Sequence, residues 1–402
     1  MAKVELIRPN LLTEKIGMRA KRSIEDLLNR IQGVREQLKD YNLAPDHVKR
    51  DTRLYAMREA AELIGRSDQT IRDAEADGRL ATPEIGPNGK RVGYTLAQIN
   101  DARDVLGTRL KRATDEEPVV IGCQSFKGGS GKTTTAVHLT QYLARQGLRV
   151  LLVDCDPQAS ATAIFGYVPE ADLSPEETLL PFLEGDRDDL AYSVKSTYFD
   201  GVYLVPANLH LYRSEYTLAS GTAKLDRLKE GIDTIAAGFD VVVIDPPPSL
   251  GMISLNALYA SNALIIPMSL GLLDFYSTVS FIQMLNETLD VIERRVGIVR
   301  SKFVKVLMTR VNEGKPVHIQ LADHLQASFG TYLMKARMHD SAAVDNAGVM
   351  MRTVYELEKT SANRKTLIRA TMLFDLVNAE ILSLIRATWP SHHKALRAQG
   401  LM

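Results

Sequence analysis

Nine consecutive residues, Phe126-Lys127-Gly128-Gly129-Ser130-Gly131-Lys132-Thr133-Thr134, have the types and spacing to hold a chain of phosphates. They follow the apolar run Val119-Val120-Ile121 and open a helical pattern that ends near Gly147, the strand–loop–helix setting such a loop needs. Glycines let backbone N–H groups close around phosphate oxygens, and a helix N-terminus favours the negative charge. Gly128 to Thr134 would form that cradle, with Lys132 reaching the β- and γ-phosphates and Thr133 holding Mg²⁺. The common pattern has a glycine where this chain has Phe126. A second lysine, Lys127, stands at the head of the loop instead.

Two further apolar runs end in acids. Val150-Leu151-Leu152-Val153-Asp154-Cys155-Asp156-Pro157-Gln158 supplies two carboxylates, and Val241-Val242-Val243-Ile244-Asp245-Pro246-Pro247 supplies one. A carboxylate at a strand end beside a phosphate loop can hold the hydration shell of Mg²⁺, and Asp245 is placed for it. Asp156 is placed to orient or deprotonate an attacking water, and Asp154 to make a water-mediated metal contact or a loop contact. Three such acids in this order behind the loop point to hydrolysis of a nucleotide rather than to binding alone.

These side chains need a scaffold. Apolar runs at 119–123, 149–153, 202–205, 241–244, 263–267 and 303–308 read as buried parallel strands, with helical stretches between most of them. The pattern predicts a doubly wound, mostly parallel α/β sheet of the P-loop NTPase type over 118–402, with its site at the C-terminal ends of the strands. A terminal helix is expected over 365–386.

Upstream, residues 20–40 read as an amphipathic helix, with Ile24, Leu27, Leu28, Ile31, Val34 and Leu38 at three- and four-residue steps. One apolar stripe needs a partner, either its own chain or, for a dimerisation helix over 1–50, a second subunit. Residues 51–107 suggest an α+β winged helix-turn-helix. One helix runs over 57–64, Gly65 makes the turn, and Ser67 caps a second helix through Ala76. A basic hairpin at Gly86-Pro87-Asn88-Gly89-Lys90-Arg91 then supplies the wing. Gln69, Thr70 and Arg72 would face the major groove beside the capping Ser67, with Arg66, Lys90 and Arg91 on phosphates. The alternative use of such a motif is protein contact. Residues 108–117 read as a polar connector.

The chain has 402 residues, enough for two or three domains, and balances 49 basic against 49 acidic side chains. Net charge therefore argues neither for nor against nucleic acid. Two cysteines, Cys123 and Cys155, make no disulfide framework and read as small core residues of a protein in a reducing cytosol. With no signal peptide and no membrane-length apolar run, a soluble intracellular protein is expected.

The stretches Lys-Gly-Gly-Ser-Gly-Lys-Thr-Thr (127–134), Leu-Val-Asp-Cys-Asp-Pro-Gln (152–158) and Val-Ile-Asp-Pro-Pro-Pro-Ser (243–249) resemble the three motifs of the ParA family of deviant-Walker partition ATPases. Val205-Pro206-Ala207-Asn208 and Asn256-Ala257-Leu258…Ile266-Pro267 extend the likeness to about residues 117–390. The N-terminal helix and helix-turn-helix resemble the large subtype, which represses its own operon. The resemblance implies ATP or ADP and Mg²⁺ as cofactors and a homodimer that sandwiches two ATP molecules. Lys127 would cross to the partner's phosphates, as an arginine finger does. It also implies a ParB-type centromere-binding partner, operator DNA, nonspecific nucleoid DNA and a bacterial cytoplasmic location. Adenine contacts would come from Arg310 and Asn312. A basic excess, Lys335, Arg337, Arg352, Lys359, Arg364, Lys365 and Arg369, offers a sequence-blind DNA surface, with Arg352, Arg364 and Lys365 as its named contacts; a solvated helix face is the alternative. Two other functions share parts of this pattern. A MinD-like membrane-positioning ATPase needs a C-terminal amphipathic anchor, which the proline-broken Trp389-Pro390-Ser391-His392-His393-Lys394 does not resemble. A nucleotide-sensing repressor without a partition role would share every motif above.

Overall fold

The structure, a computed structural model, describes residues 20–40, 53–87, 89–220, 225–297, 299–357 and 364–402. The chain forms two compact units, residues 1–44 and 45–402. The first contains helix α1 (Ala20–Asp40), as the periodicity predicts. Ile24, Leu27, Leu28, Ile31 and Val34 form its apolar stripe and keep 51–56% of their surface exposed. Lys21–Glu25 and Arg30–Asp26 pairs, one turn apart, support the charged face.

The second unit is built on a seven-stranded sheet in the order β3-β4-β2-β5-β1-β6-β7. Its strands are β1 (Val119–Cys123), β2 (Val150–Asp154), β3 (Lys195–Ser196), β4 (Val202–Val205), β5 (Val241–Asp245), β6 (Ala263–Ser269) and β7 (Phe303–Thr309). All pairings are parallel except β3 with β4. Burial on both faces explains the unbroken apolar runs. Val119, Ile121, Val150, Leu152, Val241 and Val243 join one core, while Val120, Leu151, Val153, Val242 and Ile244 join another on the opposite face. Strand β1 lies between β5 and β6, so the chain turns to one side for β2 and to the other for β6. The crevice at the C-terminal end of β1 is the switch point of the winding, where ligands bind in such sheets.

The region before the sheet folds as α2 (Met57–Ile64), α3 (Asp68–Ala76) and α4 (Leu96–Val105). The Ser67 hydroxyl accepts the Thr70 N–H at 3.2 Å and so caps α3. Ile85 and Arg91 form an isolated antiparallel bridge. The apolar side chains of these helices, Ile64, Ile71 and Ile99, belong to the same core as Leu139 and Leu143 of α5 (Lys132–Arg145), the helix that follows the phosphate loop. The connector is docked as well. Arg112 donates to the carbonyls of Phe239 and Ala237, both at 3.0 Å, and the buried Trp389 donates to Glu117 O at 3.1 Å.

Arg103 of α4 joins these parts. It is 2% exposed and donates to Leu63 O at 3.0 and 2.8 Å, to Arg145 O at 2.7 Å and to Asn100 Oδ1 at 2.7 Å. One guanidinium thus satisfies carbonyls at the C-terminal ends of α2 and α5, where the helix dipoles favour a cation. Burial lowers its pKa to about 10, which leaves it charged at neutral pH. Arg103→Ala would orphan three buried acceptors and cost about 3 kcal/mol of stability in chemical denaturation, and lysine, lacking the planar fork, should recover little of it.

Candidate active site

The loop after β1 turns through Gly129 (φ 75°) and Gly131 (φ 91°), left-handed conformations that glycine adopts without strain. The Gly131 carbonyl receives the Thr135 N–H at 2.8 Å and its hydroxyl at 2.7 Å, which starts α5. Strand β7 pins the loop from the side. The Thr309 hydroxyl donates to Ser130 O at 2.8 Å, and Arg310 Nη1 to Gly129 O at 3.3 Å. Arg310 has φ 53°, a conformation rare outside glycine and one that collects at functional sites. Around this loop lies a cleft of about 420 Å³ lined by Gly128 to Thr134 (save Ser130), Asp156 and Arg310 among others. Asn312, by contrast, lines a neighbouring cleft, where its Oδ1 accepts the Gly314 N–H at 2.9 Å.

The register of the sheet places Asp154 of β2 directly beside Asp245 of β5. Both are fully buried. Neither oxygen of Asp245 has a hydrogen bond of good geometry, although the Thr133 hydroxyl lies near enough to stabilise its charge. Burial, then the charge of Asp154, pushes Asp245 well above the usual carboxylate range. Burial lowers the pKa of Lys132, while Asp245 and Asp156 pull it back up. Among the described residues no group of three or more His, Cys, Asp or Glu side chains could cage a metal. A cation held by Asp245 and Thr133 would take phosphate and water as its other ligands, the habit of Mg²⁺. A dry carboxylate with unused oxygens beside a hydroxyl fits that ion.

Of the two roles open to Asp154, the geometry supplies the loop contact. Its Oδ1 accepts the Asp156 N–H at 3.1 Å, and its Oδ2 accepts from Thr162 N at 2.9 Å and Thr162 Oγ1 at 2.7 Å. Lys127 does not line the cleft. Its side chain is 42% exposed, and its ammonium pairs with Asp274 in the first turn of helix α6 (Leu272–Val296), where Leu272, Leu273 and Tyr276 are 65–81% exposed.

The residues proposed for DNA lie apart from the cleft. Arg66, Ser67, Gln69 and Arg72 are exposed and Thr70 is half-buried, with Ile71 and Ala74 turned into the core. Gln69 donates to Asp73 at 2.7 Å, and Arg66 to Leu106 O at 3.1 Å. Lys90 is exposed, but Arg91 is not a free phosphate contact: its guanidinium pairs with the buried Glu75 of α3 at 2.6 Å and donates to Tyr94 Oη at 2.7 Å. Arg364 and Lys365 are exposed at the start of helix α7 (Arg364–Ala387), Arg352 is half-buried, and Arg369 pairs with Glu313 at 3.3 Å. Lys359 lies outside the described residues.

Asp274, Thr309 and Thr162 escaped the reading of the sequence. Asp274 and Thr309 act on residues far away in the chain, while Thr162 bonds Asp154 eight residues before it and the more distant Ala207, and only the Asp-Pro-Gln stretch marks its neighbourhood.

A family described as AAA domain matches residues 119–298. Protein SopA of Escherichia coli K12 is 38% identical over 328 residues, 79% of this chain and 84% of its own length. The sporulation initiation inhibitor protein Soj of Bacillus subtilis is 32% identical over 52% of this chain and 79% of its own. Among solved structures, cobyrinic acid a,c-diamide synthase from Mycobacterium smegmatis, with bound ATP analogue and magnesium, aligns with a TM-score of 0.50 at 25% identity, over 63% of this chain and 96% of that one.

The acid pair yields a signed pH dependence. A carboxyl whose native pKa exceeds its unfolded value supports the fold at acid pH and weakens it as pH rises through the native value. Ligand-free Asp245→Asn should therefore be more stable than the parent at neutral pH, with the gap closing toward acid. His138, which burial lowers to about 4, acts in the opposite direction and cancels in this comparison. Thermal melts of both proteins across pH check it.

Proposed function

The chain belongs to the ParA family of partition ATPases, and from that premise we propose how its own residues carry out ATP-dependent DNA partition. Gly128 to Thr134 cradle the phosphates of ATP, and Lys132 neutralises the β- and γ-oxygens. Asp245 and Thr133 would hold Mg²⁺, which when bound would supply positive charge to stabilise the phosphates. Asp156 orients the attacking water. Arg310 contacts the nucleotide from the β7 side, where its guanidinium meets the loop, and Asn312 contacts it from the neighbouring cleft.

The observation that carries the dimer reading is the position of Lys127. It stands at the head of the loop, outside its own cleft and half exposed, against a helix turn that presents three apolar side chains. A lysine so placed serves a second copy's phosphates better than its own, and closure of two copies covers Leu272, Leu273 and Tyr276. ATP then controls association, and hydrolysis ends it. The stripe of α1 gives the dimer a further contact.

Gln69, Thr70 and Arg72, steadied by the Ser67 cap, read operator bases, while Arg66 and Lys90 hold its phosphates and Arg91 braces the wing. Arg352, Arg364 and Lys365 give the ATP-bound dimer a nonspecific grip on nucleoid DNA. A ParB-type centromere-binding protein stimulates turnover, all in the bacterial cytoplasm. ATP turnover measured with and without DNA and that partner tests the assignment. Stimulation by both is expected; operator binding without any stimulated turnover identifies a nucleotide-sensing repressor instead. Lys127→Gln should bind ATP as a monomer within about 3-fold of the parent yet form no ATP-dependent dimer by light scattering. Normal dimers would remove its role in trans.

A further inference from the structure

We infer that Thr162, acting through Asp154, is a positioning residue for the loop that carries Asp156. The inference rests on the role given to Asp156 above and adds the device that sets its place.

The loop Cys155–Ala159 leaves the end of β2 and enters the short helix Ser160–Ile164. Asp156, Gln158 and Ser160 all line the phosphate cleft. One carboxylate grips this segment at both ends. Asp154 Oδ1 holds the Asp156 N–H at the loop's start, and Asp154 Oδ2 holds both the N–H and the hydroxyl of Thr162 beyond its end. The Thr162 hydroxyl also accepts the Ala207 N–H at 3.0 Å, just past β4. Its donor and its acceptor are thus both in use, and it ties together the C-terminal ends of two neighbouring strands, β2 and β4. Thr162 and Asp154 are both fully buried.

Two features show that the clamp works against resistance. Ala159 sits at φ 52°, a left-handed conformation that a residue with a Cβ holds only where its surroundings impose it. Asp154 lies beside Asp245, with no cation paired to it among the described ion pairs. An unpaired buried carboxylate costs stability, and an apolar residue of similar volume would relieve that cost. What the carboxylate provides here is one hydrogen bond to the Asp156 N–H and two to Thr162, which fix both ends of the loop. The Asp156 side chain is steadied in turn, its Oδ1 accepting the Gln158 N–H at 2.9 Å. A water-orienting carboxylate loses effect when its loop shifts by a fraction of an ångström, whereas the backbone cradle of Gly128 to Thr134 belongs to a different loop, the one after β1.

The test compares Thr162→Val, which keeps the shape and the backbone N–H but removes the hydroxyl, with Thr162→Ser, which keeps the hydroxyl. In the nucleotide-free proteins, amides of peptides spanning 155–162 and 205–209 should exchange about 10-fold faster in the valine variant and near the parent rate in serine. For ATP with Mg²⁺, valine should lower kcat about 10-fold with KM held within about 2-fold, and serine should restore kcat. If valine does not fold, Thr162→Ala removes the same hydroxyl without adding a methyl group and carries the same expectations. Parent-like exchange and kcat in the hydroxyl-less variant would overturn the inference, as would equal losses in valine and serine. Asp156→Asn separates the two claims. Normal turnover in that variant overturns the role of Asp156 itself, while its loss alongside a normal Thr162→Val overturns the clamp alone.

Discussion

Two carboxylates, Asp154 and Asp245, end adjacent parallel strands in register and are sealed from water. That arrangement is the constraint around which the site is built. Two like charges at neighbouring strand ends cannot both ionise cheaply, so each must be compensated or remain protonated. The chain compensates them differently. Asp154 is given three hydrogen-bond donors and becomes a structural clamp. Asp245 is left with unused oxygens beside Thr133 and Lys132. The site is therefore unfinished as a set of charges, and a divalent cation carried in with a nucleotide would complete it. The parallel sheet makes this possible, since its dry interior supplies the desolvation and its register supplies the spacing.

Helix α5 carries the consequences outward. Its N-terminus is the phosphate loop, and its C-terminal carbonyl at Arg145 is held by Arg103, which also caps α2. Along its length, His138 stacks on Phe374 of α7 with ring centroids 4.1 Å apart, and Gln141 donates to Glu356 at 3.0 Å. Helices α2, α3 and α4 thus share a core with the helix that begins at the nucleotide cleft, and residues 45–402 form one compact unit.

What the sequence revealed follows from the range of the forces involved. The phosphate loop is contiguous, so its glycines and lysines were legible, as were six strands whose two buried faces make continuous apolar runs. Strand β3, Lys195–Ser196, was not, because two polar residues on an antiparallel edge leave no pattern. The sequence assigned Asp156 to the water and left Asp154 between a metal contact and a loop contact; the fold shows Asp154 buried against Thr162 and Asp156 lining the cleft. Arg91 read as a free charge because its partner, Glu75, lies on another element. Asp274, Thr309 and Arg103 act on residues that only the fold brings near, and no local spacing announces them.

The central claim is that a cation arriving with nucleotide balances the buried acid pair. Burial, with the charge of Asp154 beside Asp245, pushes both carboxyls above the ordinary carboxylate range, so a cation arriving there would favour loss of a proton from the pair. Calorimetric titration with pre-formed Mg²⁺–ATP, repeated in buffers of different ionisation enthalpy, counts that proton directly. The account predicts net proton release near neutral pH that disappears in Asp245→Asn. Binding with no proton release, or with release unchanged in that variant, would contradict it.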